Sequence, residues 1–232
     1  MIISANQPYF LPYIGYWQLI AVADVFLIGD DYSFIKRGWI TRNKIFDNHT
    51  IRSFSLNVSG VSSNKLISQI SLTENLHFKT KILHQVNTYY HKSAYFDIGY
   101  SLLEQIVFFP DLNLASFLEH SIRVICSYLD INTTIIRTSE LNTYDMCKKQ
   151  YRIFEYCKQL RADTYINSIG GQKLYDPQEF ANHGITLKFL KSDFPPYKQF
   201  NNEFVPGLSI LDAIMFCSKE QLQEMLGCYS LV

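Results

Sequence analysis

Short apolar runs at the start of the chain alternate with polar and proline-containing stretches in a pattern that predicts a βαβ unit. Residues 2–6 and 25–29 are apolar runs of strand length, and residues 13–23 have the length and periodicity of a helix. Pro8 and Pro12 stiffen the loop between the first strand and this helix. Because ligands bind outside the carboxyl ends of strands in open α/β sheets, this opening loop is predicted to form a rigid pocket wall.

The second half of the chain alternates between strand-length apolar runs and amphipathic segments with helical periodicity. Strands are predicted at residues 134–136, 164–166 and 185–190, and helices at 145–161, 176–182, 209–216 and 218–226. This alternation predicts an α/β fold with a mainly parallel sheet and helices on both faces.

The region between these two parts has a different pattern. Residues 35–45 are predicted to form a basic loop, and residues 51–58 and 67–73 alternate polar and apolar side chains as antiparallel strands do. A small antiparallel insertion is therefore expected here. Helices are predicted to follow at residues 76–91, 97–107 and 114–129.

Length, charge and cysteine usage narrow the class of protein. The 232 residues, of which 47% are hydrophobic, suit one domain spanning residues 1–232. The net charge of +0 argues against general nucleic-acid binding, which needs a basic excess. The five cysteines form no C-x-x-C pair, so they are expected to be reduced thiols of a cytoplasmic protein. No apolar run reaches the roughly 20 residues of a membrane span, and the N-terminus does not resemble a secretory signal.

The opening loop contributes the first group of candidate binding residues. Asn6 and Gln7 carry amides that both donate and accept hydrogen bonds, and Tyr9 and Tyr13 follow them closely. Such side chains at a strand end suit a hydroxyl-rich or nucleotide ligand. The alternative is that Gln7 and Pro8 close a turn and the tyrosines pack.

Two acids and a basic segment follow the second predicted strand. Asp30 and Asp31 are suited to orienting an amine, holding Mg²⁺ or binding ribose hydroxyls. The basic segment offers cations for phosphate, an indole for stacking on a base or sugar, and an amide: Lys36, Arg37, Trp39, Arg42 and Asn43. The alternative is a solvated basic loop.

Polar residues and glycines also follow the later predicted strands. The candidates there are Ser139, Glu140, Asn167, Gly170, Gly171, Tyr175, Tyr197 and Gln199, with Lys148 and Arg152 on the helix after Ser139. The glycine pair permits close backbone approach to a ligand. P-loop, dinucleotide-binding and nucleophile-elbow motifs are absent from the sequence. Because the carboxyl ends of parallel strands share one edge, these residues are expected to converge on one crevice.

The histidines of the predicted helix at 76–91 do not suit a metal site. His77, His84 and His91 recur every seven residues, which places successive members about 10.5 Å apart along a helix. Zinc–histidine distances are near 2 Å, so one ion cannot bridge them. No metal site is predicted from this series.

Several of these segments together resemble the WbqC-like protein family. They are Gln7–Tyr16, Ala23–Phe26, Asp30 with Asp31, Trp39 with Arg42 and Asn43, Thr138–Leu141, Tyr165 with Gly170, Gly171 and Tyr175, and Leu208–Asp212. The family is associated with bacterial gene clusters for O-antigen, the polysaccharide of lipopolysaccharide, and for related surface polysaccharides. The resemblance implies a role in that pathway, whose precursors are nucleotide-linked sugars, often amino sugars with an acylated amine.

The leading hypothesis is therefore a transferase that forms an amide on a nucleotide-linked amino sugar, with an acyl or aminoacyl donor. Asp30 or Asp31 would be the general base, with Asp31 preferred because it is nearer the basic segment. One alternative is a non-catalytic binder or assembly subunit for glycan intermediates. Another is an ATP-dependent, adenylate-forming amide ligase, although its His-x-Gly-His-type motif is missing. No tightly bound cofactor is expected, and an acyl donor or ATP would be a co-substrate.

Overall fold

The computed structural model of the chain describes residues 1–62, 64–73, 76–143, 150–200 and 203–232, with residues 76–78 described as backbone alone. The strands are β1 (Ile2–Asn6), β2 (Val25–Ile28), β3 (Arg42–Phe46), β4 (Ile51–Ser55), β5 (Val58–Ser59), β6 (Ser71–Leu72), β7 (Thr134–Arg137), β8 (Thr164–Ser168), β9 (Thr186–Ser192) and β10 (Tyr229–Leu231). The α-helices are α1 (Ile14–Ala21), α2 (Leu76–Tyr90), α3 (Phe96–Val107), α4 (Leu114–Tyr128), α5 (Gln150–Leu160), α6 (Pro177–Asn182), α7 (Ile210–Phe216) and α8 (Lys219–Leu226). Short 3₁₀ helices span Ile67–Gln69, Thr138–Leu141 and Ile169–Leu174.

A six-stranded sheet forms the centre of the molecule, in the order β10-β9-β8-β1-β2-β7. Neighbouring strands are parallel from β9 to β7, and only β10 runs antiparallel, along β9. This confirms the predicted, mainly parallel α/β sheet. The carboxyl ends of β8, β1, β2 and β7 therefore meet at one edge of the sheet.

Helices cover both faces of this sheet, as the sequence predicts. On β2, Phe26 and Ile28 belong to a core that also contains Trp17 of α1 and residues of α4 and α7. The intervening residues Val25 and Leu27 belong to a second core with side chains of α5 and α6. Strict alternation along a buried strand separates the two sets, because successive side chains of a strand point to opposite faces.

The antiparallel insertion is present, but its strand pairing differs from the predicted one. Residues 51–55 pair with β3, which was predicted to be part of a basic loop. Residues 67–69 form a 3₁₀ helix, and β6 pairs with β5 in a two-residue ribbon. In β3, Arg42 is exposed while Asn43 and Ile45 are buried. The strand was not predicted because the basic side chains in this segment are typical of a loop, although alternate positions of β3 face the core.

Two further features of the helices and strands complete the comparison. Strand β10, a three-residue edge strand, was not predicted. The predicted helix at 145–161 is described from Gln150 onward, so its first part and Lys148 lie outside the described residues. No helix in the described part of the chain is long and apolar enough to cross a membrane.

Candidate functional site

The strand order places a topological switch point between β1 and β8. The chain proceeds from β1 to β2 and β7 on one side, and then crosses to β8 on the other side of β1. Open α/β sheets bind ligands in the crevice at such a point. A cavity of about 370 Å³ lies here, with walls that include Asn6, Tyr9, Pro12, Tyr13, Tyr16 and Trp39. Its volume is within the roughly 300–1,000 Å³ typical of small-molecule sites.

The opening loop that lines this first cavity is fixed through its backbone carbonyls. The carbonyl of Gln7 accepts a hydrogen bond from the Tyr16 hydroxyl at 3.1 Å, and that of Pro12 accepts one from the Trp17 indole at 2.9 Å. The Ser209 hydroxyl at the start of α7 donates to the carbonyl of Leu11 at 2.8 Å. Because these donors belong to α1 and α7, the loop is held by packed helices, which makes it a preorganised wall.

Asn43 lines the first cavity, and its side chain is hydrogen-bonded to the opening loop. Its side-chain nitrogen donates to the carbonyl of Phe10 at 3.0 Å and to that of Leu11 at 2.5 Å, and its oxygen accepts from the Lys44 amide. The sequence placed Asn43 among the ligand-binding residues. In the structure Asn43 lines the first cavity, and both ends of its side-chain amide are hydrogen-bonded, which links β3 to the opening loop.

The polar groups of the first cavity are neutral hydroxyls and amides. Gln7 donates from its side chain to the Tyr9 hydroxyl at 2.9 Å, and Asn6 accepts from the Gln7 backbone at 2.9 Å. Burial raises the pKa of Tyr9 and raises the pKa of Tyr16 well above its usual value. Both phenols therefore stay protonated at neutral pH and act as hydrogen-bonding groups rather than bases.

Two residues of the basic segment, Trp39 and Asn43, line the first cavity. Trp39 is 49% exposed, and Lys44 places its ammonium 5.3 Å from the centre of the indole ring. The side chains of Lys36, Arg37 and Arg42 are exposed. An aromatic surface with cations beside it suits a planar, negatively charged ligand.

Gly15, in the first turn of α1, allows the Tyr13 ring to fold over the helix. A β-carbon at this position would lie 2.5 Å from the Tyr13 ring, which is too close for any real contact. Tyr13 is 40% exposed and forms part of the cavity wall. The glycine therefore sets the position of one wall of the cavity.

Gly15→Ala is expected to move the Tyr13 ring without destabilising the fold. Alanine is better than glycine in a helix by about 1 kcal/mol, so urea unfolding should show equal or greater stability. Under the hypothesis of a nucleotide-linked ligand, Gly15→Ala should weaken the binding of uridine diphosphate measured by calorimetry, and Tyr13→Ala should weaken it to a similar extent. Unchanged affinity in both variants would show that the ring does not shape the site.

Asp30 and Asp31, which follow β2, are both buried and hydrogen-bonded to residues that follow β7. The Ser139 hydroxyl donates to Asp30 at 2.7 Å, and the Thr138 hydroxyl donates to Asp31 at 2.6 Å and to Asp30 at 3.2 Å. Adjacent side chains on an extended segment would face opposite ways. Here both carboxylates reach Thr138, because the chain turns after β2, where the Asp30 amide donates to the carbonyl of Ile28.

Arg152 of α5 completes this acidic cluster. It donates to Asp31 at 2.5 Å, and its guanidinium lies 5.3 Å from the Tyr32 ring and 5.6 Å from the Tyr156 ring. The sequence noted Arg152 only as a cation on the helix after Ser139. The sequence feature that could have indicated a buried ion pair is the place of Arg152 on the apolar face of an amphipathic helix, where a charged residue requires a partner.

A second cavity, of about 490 Å³, opens on the α5 side of the same sheet edge. Its walls include Asp31, Tyr32, Arg152, Lys173, Leu174 and Tyr175. Asn167 of β8 holds Tyr175, since its side-chain nitrogen donates to the phenol oxygen at 2.7 Å. The single crevice expected from the strand ends is thus divided into two cavities. Asn6 lines the first, and Asp31 lines the second.

The predicted glycine pair has two different roles. A β-carbon on Gly171 would lie 3.0 Å from the Asn167 side chain, so this glycine makes room for the amide that holds Tyr175. Gly170 is exposed, with nothing within 4 Å of where its β-carbon would be. Ser168, between Asn167 and the glycines, lines the first cavity.

Several predicted binding residues line neither cavity. They are Gln7, Lys36, Arg37, Arg42, Ser139, Glu140, Asn167, Gly170, Gly171, Tyr197 and Gln199. Gln199 is fully buried and donates to Asp212 at 2.6 Å, and the Tyr197 hydroxyl donates to the same carboxylate at 2.6 Å. They do not line the first cavity, because the segment after β9 folds back onto α7. Glu140 accepts a 3.4 Å hydrogen bond from the Arg137 amide at the start of its 3₁₀ helix. Among the described residues, no three His, Cys, Asp or Glu side chains are grouped as a metal site would need.

Comparison with known proteins shows which family the chain resembles. The WbqC-like protein family matches residues 7–224, which include the opening loop, the acidic cluster and α7. An uncharacterized protein of Mycobacterium tuberculosis is 26% identical over 230 residues, which cover 97% of this chain and 98% of that protein. No solved structure matches the chain. The chain belongs to the WbqC-like protein family.

Proposed function

We propose that this protein is an enzyme of bacterial O-antigen or related surface-polysaccharide biosynthesis that forms an amide on a nucleotide-linked amino sugar. The observation that supports this most is the aromatic cavity at the switch point, which is lined by the exposed Trp39, a residue whose own segment of the chain carries three exposed cations. A nucleotide-linked sugar combines a planar base, a diphosphate and a hydroxyl-rich ring. The base can stack on Trp39, the diphosphate can bind to the cations, and the sugar ring can form hydrogen bonds with the neutral hydroxyls and amides.

The binding roles follow from exposure and charge. The base stacks on Trp39, and the diphosphate interacts with Lys36, Arg37 and Arg42. The first turn of α1 also favours a negatively charged ligand, because the amide groups at the start of a helix attract anions. This turn has no acidic residue and no side-chain cap, and its residue Gly15 lines the cavity. The sugar then enters the cavity, where Asn6 and the tyrosine hydroxyls contact its hydroxyl groups.

The reaction joins the sugar amine to an activated acyl or aminoacyl donor. The amine nitrogen attacks the donor carbonyl, the new C–N bond forms, the donor's leaving group departs, and the amine loses a proton. Tyr9 and Tyr16 remain protonated, as burial raises both pKa values, so a carboxylate is the better proton acceptor. Asp31 is assigned that role, which requires the sugar amine to extend from the first cavity into the second, where Asp31 forms part of the wall. Asp30, held by Ser139 and Thr138, supports Asp31.

A non-catalytic role in binding glycan intermediates is the second candidate, and one observation favours it. Each carboxylate oxygen of Asp30 and Asp31 already accepts a hydrogen bond, and Asp31 is paired with Arg152. Carboxylates whose oxygens are all engaged by neighbouring residues are suited to holding the structure together. Under this reading the acids stabilise the site, and the first cavity retains the same ligand.

The experiment that tests the proposal combines binding with turnover. Saturation-transfer NMR with uridine and thymidine diphosphate sugars identifies the ligand, and mass spectrometry with acyl thioesters, aminoacyl donors or ATP plus a free acid detects amide formation. Amide product supports the enzyme, and a product only with ATP assigns it to the adenylate-forming class. Binding without product under every donor supports the binder, and no binding of any nucleotide sugar contradicts both.

Trp39→Ala is expected to weaken binding of the nucleotide sugar by about 1–3 kcal/mol, the range measured for a base stacked on an aromatic side chain. Because half of the Trp39 side chain is exposed, the fold should be unaffected. Tyr151→Ala is the matched control, since Tyr151 is 53% exposed and lies on α5 outside the first cavity. Calorimetry that finds equal affinities for both variants would exclude stacking on Trp39.

A further inference from the structure

The second cavity contains a charged group that the proposed binding of a nucleotide sugar does not use. The Arg152 side chain is 11% exposed and lies in the cavity wall, where Asp31 and two tyrosine rings fix its guanidinium. Fixing a guanidinium in this way lowers the entropy lost when it binds a ligand. The wall is therefore preorganised around a cation.

The charges of the described lining residues leave a positive excess. Arg152 and Lys173 are cationic and Asp31 is anionic, so two positive charges face one negative charge, and the lining carries one net positive charge. Asp31 is paired with Arg152, and Lys173 is exposed. A small monoanion balances this charge.

The remaining wall suits a short carbon skeleton with one polar group. Ile153 and Leu174 are apolar, and Leu174 is 68% exposed at the cavity mouth. The Tyr175 hydroxyl, held by Asn167, provides a neutral hydrogen-bonding group. The cavity therefore combines one excess cation with apolar and aromatic surface.

We propose that the second cavity is a binding subsite for a small molecule with a carboxylate group, bound through Lys173 and the Arg152 guanidinium. In the ATP-dependent, adenylate-forming version of the amide-forming reaction, this molecule is the free acid that ATP activates. The assignment to a donor rests on the proposed function. Carboxylate binding itself is measured without turnover and without a nucleotide sugar.

The test is a titration of the ¹⁵N-labelled full chain with sodium propionate, methyl propionate and inorganic phosphate at constant ionic strength. The amides of Gly171 and Leu174 report on the second cavity, and the amide of Gly15 reports on the first. Propionate is expected to shift Gly171 and Leu174 saturably and to leave Gly15 unchanged. The neutral ester should shift neither, and phosphate should bind more weakly than propionate.

Lys173→Gln is expected to weaken propionate binding about fivefold, as for one exposed charge pair. Because Lys173 is exposed, this variant keeps the fold. Lys188→Gln is the matched control, since Lys188 is an exposed residue of β9 outside both cavities, and its affinity should equal that of the wild type.

The subsite is overturned if propionate gives no saturable shift, if the ester binds as well, if phosphate binds more tightly, or if Lys173→Gln has no more effect than Lys188→Gln. A parallel titration with uridine diphosphate, followed at Gly15, tests the nucleotide site separately. A failure of the carboxylate subsite is thereby distinguished from a failure of the proposed function.

Discussion

Asp31→Asn is expected to lower amide formation by two or more orders of magnitude. The substitution removes the proton acceptor while keeping the size of the side chain, and general-base catalysis contributes roughly 10²–10⁴-fold. It also leaves Arg152 without its buried ionic partner, which costs about 3–5 kcal/mol of folding free energy in comparable cases. Turnover must therefore be measured per folded molecule, at a temperature well below the unfolding transition.

Two control variants separate catalysis from stability. Asp30→Asn changes a neighbouring carboxylate that has hydroxyl and amide donors but no cation among its described partners, so its effects on stability and turnover should be much smaller. The double variant Asp31→Asn with Arg152→Met removes both buried charges and should recover much of the lost stability. If the double variant also recovers turnover, Asp31 is a structural residue and the binding function gains support.

Asp212→Ala is expected to reduce the free energy of unfolding by about 3–5 kcal/mol. The Asp212 carboxylate accepts hydrogen bonds from Tyr90 at 2.7 Å, Tyr197 at 2.6 Å and Gln199 at 2.6 Å, all in a buried site. Alanine removes the acceptor of both tyrosine hydroxyls and one acceptor of Gln199, whose side chain also donates to the carbonyl of Val205 at 3.2 Å. Each unsatisfied buried donor costs about 1–3 kcal/mol before relaxation. Urea unfolding measures the loss.

Asp212→Asn is the matched control for this cluster. Asparagine keeps one acceptor oxygen and the shape of the side chain, so its loss should be clearly smaller than that of alanine. If the two variants differ by less than about 0.5 kcal/mol, the ordinary range for surface substitutions, then the hydrogen bonds to the carboxylate are not what stabilises this region.

The Asp212 cluster also predicts a dependence of stability on pH. Burial raises the pKa of Asp212, and the hydrogen bonds from Tyr197, Tyr90 and Gln199 oppose this only in part. The folded protein therefore retains a proton that the unfolded chain releases. The contribution of Asp212 to the free energy of unfolding should fall as pH rises from the usual pKa of 3.8 through the higher folded pKa, and then stay level. Comparison of wild type with Asp212→Asn across this range isolates the effect, and identical profiles would contradict it.

The sequence determined the central architecture because its strands and helices can be predicted from the local periodicity of apolar residues. The apolar runs at residues 2–6 and 25–29 and the later βα alternation predict a mainly parallel sheet, and the structure has it. The last two helices begin directly after Ser209 and Ser218, residues of a type favoured at this position, and each side chain accepts a hydrogen bond from its helix. Apolar periodicity and helix caps depend on only a few neighbouring residues, so they can be recognised without knowledge of the fold.

Residues whose roles depend on distant partners could not be assigned in this way. Nothing near Gln199 in the sequence indicates that it is buried against Asp212, and nothing near Asn43 indicates that it donates to the opening loop. Strand β3 was missed for a related reason, since its pairing with β4 and its packing override a polar local pattern.

By itself, the sequence determined the parallel strands of the central sheet, most helices, the stiff opening loop and the edge of the sheet where polar groups collect. Only the tertiary structure decided how those groups are divided: Asn6 with the tyrosines and Trp39 around one cavity, and Asp31 with Arg152 around another. The physical reason is that periodicity fixes which face of an element is buried. The partner of a buried charge is instead set by how elements more than a hundred residues apart pack together, as Asp31 and Arg152 do.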